Sequence, residues 1–443
     1  MSEPPGEPPR SESVSGAAAP AADARADDAR PEAEFGAAGA TPDRPHPAQR
    51  RTLVVLSLAQ ALGGLSNGVA LGVGSLLVEQ VTGRAELAGL AATLLTLGGA
   101  ALAVPLARLA QRRGRRIALT SGTLLALAGA VLLAIGGTLG SPAIVLPGFF
   151  VLGGAMAVNL QSRFAATDLS TPRRRGRDLS LVVWMTTIGV VIGPNLIGPG
   201  DTLGLALGLP HLVGAYVISA VAMAITAAVL WVLLRPDPLL ESRVGLPTQT
   251  ERPRLRLRAH PRALAAVIAV AAAHSTMVGV MALTPVHLDQ AGQHLGVIGF
   301  TMSAHTAGMY ALSPVFGWLT DRVGARATVL TGAGILLLAI AANLALPAGL
   351  APIGLALLGL GWSAATVAGS TLVAAAVELP LRPALQGRSD LVMGLCAAAA
   401  GAAAGPILGV VGYAGLNLAM VPVIAVLAVT AVLATRGRAT QPG

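Results

Sequence analysis

The chain has 443 residues, of which 54% are hydrophobic and 12% charged, with a mean hydropathy of +0.70 and a formal net charge of +9. A soluble domain carries about 25% charged residues, so this balance excludes a water-soluble enzyme or binding module and points to a polytopic membrane protein. The positive charge is no sign of nucleic acid: all 30 basic residues are Arg, and they fall in short segments between apolar runs, where anionic lipid and membrane topology account for them. Arg without Lys, beside abundant Ala, Gly and Pro, suggests a GC-rich bacterial genome. The single Cys396 excludes an internal disulfide, and neither a Cys-based metal site nor a cofactor is expected.

In chain order, residues 1–50 are rich in Pro, Ala, Glu and Asp without apolar periodicity, and are expected to form a disordered cytoplasmic tail. Twelve apolar runs follow, each near the roughly 20 residues that cross a bilayer. The first six read 53–78, 87–109, 117–139, 143–166, 179–197 and 212–234. Apolarity then stops over 235–262, a loop with seven Arg against three acids. The second six read 263–286, 295–319, 327–346, 353–377, 391–411 and 416–434, with a short tail at 436–443. Alternate loops carry the arginines: Arg112, Arg113, Arg115 and Arg116; Arg173, Arg174, Arg175 and Arg177; the central loop; Arg322 and Arg326; Arg382 and Arg388; Arg436 and Arg438. The loops between them carry only Arg84. The positive-inside rule therefore puts both termini and the central loop in the cytoplasm.

The two sets of six are copies of one unit. Ala107–Arg116 reads ARLAQRRGRR and Gly317–Arg326 reads GWLTDRVGAR; Gly324 over Gly114 places Asp321 on Gln111, Arg322 on Arg112 and Arg326 on Arg116. Asp168 and Glu378 obey the same spacing, and Gly189, Gly193 and Pro194 find counterparts in Gly401, Gly405 and Pro406. The charged turns resemble the GxxxDRxGRR loop of the major facilitator superfamily of secondary transporters. The resemblance implies an all-α fold of twelve transmembrane helices in two six-helix repeats, covering 51–234 and 263–435.

In that family the loop cations pair with carboxylates at the end of the fourth helix of each half and latch the cytoplasmic side. By resemblance Arg115 or Arg116 would meet Asp168, Arg326 would meet Glu378, and Asp321 would face a helix N-terminus, where an anion is favoured. Gln111 brings no charge to the first copy. The run Gly189 to Gly198 is similar to the antiporter motif GxxxGPxxGG of exporting members, with Ile197 in place of one Gly. Its Gly189 and Gly193 permit close helix approach, and Pro194 removes a backbone bond. Ordinary glycine packing with a kink is the plainer alternative. The family's early Arg of the fourth helix is Phe149 here, while Arg163 lies near the cytoplasmic end, where its head can snorkel.

Ionisable groups at the bilayer midplane are costly and usually functional, and the carboxylates all fall at run ends or in loops, leaving the middle nearly bare. His274, 12 residues past Arg262 and so about 18 Å along a helix, and His305 at similar depth are the candidates for carrying a coupling proton; each is otherwise a neutral, hydrogen-bonded core histidine. By family analogy the first, fourth, seventh and tenth helices line a cavity, making Gln60, Asn67, Asn159, Met277 and Trp362 candidate substrate contacts, although such residues also glue helices together. The expectation is a monomeric multi-pass transporter of the bacterial cytoplasmic membrane, exporting small amphipathic or lipophilic molecules by proton antiport. An importer or uniporter of sugars or metabolites is the alternative, and a membrane enzyme or receptor lacks a sizeable extramembrane domain to work with.

Overall fold

The computed structural model describes residues 46–171, 174–242, 260–378 and 381–435. The tail at 1–45, Arg173, the central loop over 243–259, and 436–443 with Arg436 and Arg438 lie outside the described residues. Every regular element described is helical. The first group comprises α1 Gln49–Thr82, α2 Leu90–Arg113, α3 Arg115–Thr138, α4 Pro142–Leu152 and α5 Gly154–Ala165. It continues with α6 Arg175–Asn195, α7 Ile197–Ala206, α8 Val213–Leu233 and the short α9 Pro238–Ser242. The second group comprises α10 Pro261–Met281, α11 Thr284–Gln290, α12 Leu295–Tyr310, α13 Ser313–Val323 and α14 Ala325–Ala345. It ends with α15 Ala351–Ala375, α16 Arg382–Ala419 and α17 Val421–Thr435.

The breaks have local causes. Proline opens α4, α10, α13 and α15 in the first turn, where its missing N–H forfeits no helical bond. Pro194 near the end of α6 precedes the step at Leu196 into α7. The two charged turns share one backbone shape: Gly114 has φ 91° and Gly324 φ 89°, each closing the helix before it and opening the next. Positions matched by sequence alone thus coincide in conformation. L-residues avoid this region.

Among the described residues, ten stretches are long and apolar enough to cross a membrane. Two runs depart from single continuous spans. The run at 295–319 is divided into α12 and α13, with Pro314 in the first turn of α13, and neither piece alone qualifies. Conversely, Leu385–Thr435 is one 51-residue stretch, about 76 Å if straight; Gly412, at φ 69°, breaks it and turns the chain. Helix α1 starts at Gln49, so the last residues of the expected tail are helical.

Within the first group α1 packs on α6 and α8, and α3 on α8; within the second, α14 and α12 pack on α15, and α10 on α16 and α17. Between lipid-like side chains there is little hydrophobic drive, so small residues that admit close packing decide such contacts. Gly64 and Gly68 of α1 meet the backbone of Thr186, Val190 and Gly193, while added Cβ atoms at Gly189 and Gly193 would strike the carbonyl oxygens of Ala61 and Leu65.

Among the described residues, the hydrogen bonds between the two groups gather toward one end. Thr93 Oγ1 donates to the Ala398 carbonyl (3.0 Å), Asn195 Nδ2 to Ser303 Oγ (2.7 Å), Ser303 Oγ to the Val191 carbonyl (2.7 Å) and Gln290 Nε2 to Glu79 Oε1 (3.0 Å). A buried apolar cluster bridges the groups there, joining Val69, Val73 and Leu77 to Leu283, Val286, Ile298 and Leu416. The far end, where Gln49, Arg115, Asp168 and Asp237 gather, has its own small core within the first group, around Leu56, Leu119 and Leu230. Among the described residues no hydrogen bond crosses between the groups at that arginine-rich end.

Gly193→Leu is expected to cost several kcal/mol of stability, at or above the usual ~1–3 kcal/mol for overpacking because backbone must move. Gly198→Leu, where a Cβ meets nothing within 4 Å, should be neutral. Melting of the two purified variants in detergent, with the yield of monodisperse protein, distinguishes them.

Candidate functional site: a charged corner and a central polar set

At the arginine-rich end the first charged turn is fully engaged. Arg115 places Nε 2.8 Å from Asp168 Oδ2 and Nη2 3.3 Å from Oδ1, while Nη1 donates to Gln161 Oε1 at 2.9 Å. Both side chains are nearly buried, at 11% and 12% exposure, and this two-point geometry is the strong form of the Arg–carboxylate contact. Asp237, just past α8, accepts from the backbone N–H groups of Arg115 (3.1 Å) and Arg116 (2.7 Å). An anion therefore sits on the N-terminus of α3, where unpaired N–H groups and the helix dipole favour it. A Cβ at Gly114 would collide with that carboxylate, so glycine is required both for its φ and for the space. The guanidinium of Arg116 lies over Trp231, 4.9 Å from the ring centroid.

A second cluster ties the start of α1 to α6. Gln49 Nε2 lies within hydrogen-bond reach of Asp178 Oδ2 (2.8 Å), Ser170 Oγ (2.7 Å) and the Ala166 carbonyl (2.9 Å), and Ser170 Oγ donates to Asp178 at 2.6 Å. A cleft of about 250 Å³ lined by Gln111, Arg115, Gln161 and Leu239 opens beside this corner.

The second charged turn has the same backbone and none of these partners. Asp321, Arg322, Gly324 and Arg326 are exposed, a Cβ at Gly324 meets nothing within 4 Å, and Arg322 rests on its own helix's Trp318 at 5.0 Å. Arg326 and Glu378 form no ion pair in this structure, and Gly317 likewise faces open space. The antiporter-like residues divide: Gly189, Gly193 and Pro194 are at the α1–α6 contact, and the Pro194 carbonyl also faces Gly299 of α12, whereas Gly198 touches nothing within 4 Å. Their counterparts Gly401 and Gly405 face Gly89 and Glu86 across the groups instead.

In the middle, the candidate cavity residues form two linked sets. Gln60 Nε2 (3.0 Å) and Asn159 Nδ2 (3.2 Å) both donate to Thr186 Oγ1, and Asn159 Oδ1 accepts from Arg163 Nη2 at 3.3 Å. Across from them Trp362 Nε1 donates to His274 Nδ1 at 2.8 Å, and Tyr310 stands edge-on to Trp362 with centroids 6.1 Å apart. Because Nδ1 accepts, neutral His274 carries its proton on Nε2. The charge of Arg163 acts on Tyr310 and on Asp390 of the second group. The middle is thus less bare than its carboxylates suggest: Asp390 lies eight residues into α16, exposed and within reach of that field.

Other predicted residues stand apart. Met277 is 2% exposed in the second group's core. Asn67 has a buried Oδ1 without a hydrogen-bond partner. His305 is wholly buried, its Nδ1 donating to the Leu355 carbonyl at 2.9 Å, and it faces α15 rather than the central set. Phe149 is fully buried, edge-on to Tyr216 at 6.1 Å. Sequence reasoning missed Asp237, Gln49, Asp178, Thr186 and Tyr310; Asp237 carried a signal, being a carboxylate three residues past the end of an apolar run.

Arg115→Ala and Asp168→Ala are each expected to lower unfolding stability by about 3 kcal/mol, because each removes one member of a nearly buried, two-point ion pair. The double variant should lose less than the sum, and a thermal-denaturation double-mutant cycle checks this.

Comparison with known proteins agrees with the architecture. The family model described as Major Facilitator Superfamily matches residues 56–297. The chain is 32% identical to the MFS-type transporter YdeG of Bacillus subtilis (strain 168) over 90% of this chain and 95% of that protein. It is 28% identical to the riboflavin transporter RfnT of Brucella anthropi over 87% of this chain and 96% of that one. Among solved structures, a bacterial homologue of the human lysosomal transporter Spinster, in an inward-facing and unoccupied conformation, superposes with a TM-score of 0.65 at 15% identity, covering 89% of this chain and 98% of that one. The human organic anion transporter MFSD10 (TETRAN) gives 0.62 at 16%, covering 87% and 100%. These two show the fold alone. On the family model and on the extent of its likeness to YdeG, the chain belongs to the Major Facilitator Superfamily and is a multi-pass membrane transporter.

Proposed function

We propose that the chain is an alternating-access secondary transporter that moves a small organic solute through the central polar set, in the direction of export and in exchange for protons. One observation carries the reading: the hydrogen bonds between the two helix groups gather toward one end, and among the described residues none is found at the arginine-rich end. The arginines put that end in the cytoplasm, so this is an inward-facing state. Twelve passes follow if α12–α13 form one crossing and Gly412 separates two more. The six-pass halves are then 51–234 and 263–435, joined by the cytoplasmic loop 235–262, with both termini on the same side of the bacterial cell membrane. We take the monomer, surrounded by lipid, as the working unit.

Export is supported by the glycine–proline step of α6, which seats its backbone on α1 and leaves no room there for a leak. Uptake or facilitated passage of a sugar or metabolite is the second reading, and the relative RfnT, a riboflavin transporter, fits a metabolite as the solute. Proton exchange would act through His274. A second proton must go to Nδ1, which breaks the bond from Trp362 and frees the ring. In the outward-facing state the exposed Asp321, Arg326 and Glu378 would close against their partners and latch the cytoplasmic side.

Purified protein in liposomes under an imposed pH gradient, given a panel of aromatic anions, lipophilic cations and sugars, tests the whole reading: solute movement opposed to proton movement supports export. Movement of any solute along its own gradient without a proton signal rejects the coupling. Asp321→Ala should reduce transport by at least tenfold while leaving the amount of folded protein intact; normal turnover rejects the latch. His274→Ala should retain solute binding and flatten the pH profile of transport, and an unaltered profile removes His274 from the coupling.

A further inference from the structure

The central set contains one group whose chemistry is incomplete. Arg163, in the last turn of α5, has five N–H donors, and one of them, Nη2, makes the 3.3 Å contact to Asn159. Its Nε is buried and has no hydrogen-bond partner, and the residue forms no ion pair with any described carboxylate. A cation away from water is costly unless it is paired. The contrast with Arg115 is within the same protein: that guanidinium has its carboxylate and its amide oxygen, and is a finished structural contact. Nothing in the packing of α5 demands a charge at 163, since the side chain is half-buried on the side facing the second group.

Opposite Arg163 stands a ring wall that is already oriented. Trp362 is fixed by its bond to His274, and Tyr310 is set edge-on against it. A ring so held loses little rotational freedom when a solute stacks on it, which is why rigid aromatic side chains serve well as recognition surfaces. Asp390 is the described carboxylate in the field of Arg163, yet no ion pair or hydrogen bond joins the two. The unmet requirement at the site is therefore an anion, next to aromatic faces.

We infer that the solute is a planar aromatic anion, its carboxylate or phosphate held by Arg163 and its ring packed on Trp362 and Tyr310. This rests on the central set being the transport site. It also departs from what the bare apolar middle of the sequence suggests, namely a lipophilic or amphipathic solute in an uncharged cavity, because the Arg163 charge favours an anion. When no solute is bound and the cytoplasmic side closes, Asp390 takes the solute's place beside Arg163. The same charge is then satisfied in both states.

The test compares one ring in three charge states. Naphthalene-2-carboxylate, naphthalene-2-carboxamide and naphthalen-2-ylmethylamine are titrated into the detergent-purified full chain, reading quenching of Trp fluorescence and the shift in melting temperature; riboflavin and its 5′-phosphate form a second, larger pair. The anion is expected to bind at least tenfold tighter than its neutral counterpart in one pair or both. Arg163→Gln should remove that preference without removing binding of the neutral ring, and Arg163→Lys should restore part of it, which also guards against loss of folding as the cause. Trp362→Ala should weaken anion and neutral ring alike. Equal or tighter binding of the neutral or cationic forms, no binding in either pair, or an anion preference that survives Arg163→Gln overturns the inference. Counterflow in proteoliposomes separates it from the broader reading. An anion that binds through Arg163 but is not moved refutes the central set as the transport site, whereas transport of uncharged solutes without any dependence on Arg163 refutes only the anion.

Discussion

The contact on which the arrangement of the first group depends is backbone against backbone, where α1 lies on α6. Side chains are absent from the critical positions on both helices: Gly64 and Gly68 on one, Gly189 and Gly193 on the other. In hydrocarbon there is no water to drive helices together, so the attraction comes from many short-range contacts that a single methyl group would spoil. That closeness brings Gln60 of α1 and Thr186 of α6 within hydrogen-bond distance, and Asn159 of α5 joins them at the same hydroxyl. It also places α6 so that the carbonyls of Val190, Val191 and Pro194 face α12, where Ser303, Thr306 and Gly299 meet them. One tight helix pair thus positions both half of the central polar set and one of the two seams between the groups.

Much of this architecture was legible in the sequence because a bilayer permits so few alternatives. Length and apolarity of the runs suffice for most of the helices and their order, and the matching φ values at Gly114 and Gly324 show that the two charged turns share one backbone shape. The pairing of Arg115 with Asp168 was also accessible, since both belong to a motif of fixed spacing. What sequence did not disclose were partners brought from elsewhere in the chain. Asp237 caps α3 from 121 residues away, and Tyr310 meets Trp362 only because α12 packs on α15. Periodicity reports which face of a helix is apolar, and it carries no information about which neighbour that face will find.

Side-chain reach and helix ends add to this. Counting residues placed Arg163 near a membrane surface, yet a side chain of that length reaches back along its own helix, and in α5 it points toward Asn159 and the middle. Asp390 was counted as lying at a run end, because the apolar run begins at the residue after it, whereas the helix begins eight residues earlier. The boundary of an apolar run and the boundary of a helix are different quantities. Between them lie the residues that can be both helical and charged, and in an open cavity those are the residues a passing solute encounters.

The two charged turns begin from the same backbone and end in different mechanical circumstances. At Gly114 the corner is filled by the Asp237 carboxylate, which accepts backbone bonds from the first turn of α3, while the corner at Gly324 is empty. The first turn is held by a carboxylate from outside the repeated motif; the second, with its corner vacant, has no such hold. Two turns of one backbone shape thus differ in how firmly each fixes the helices it joins, and a single residue lying outside the duplicated stretch makes the difference.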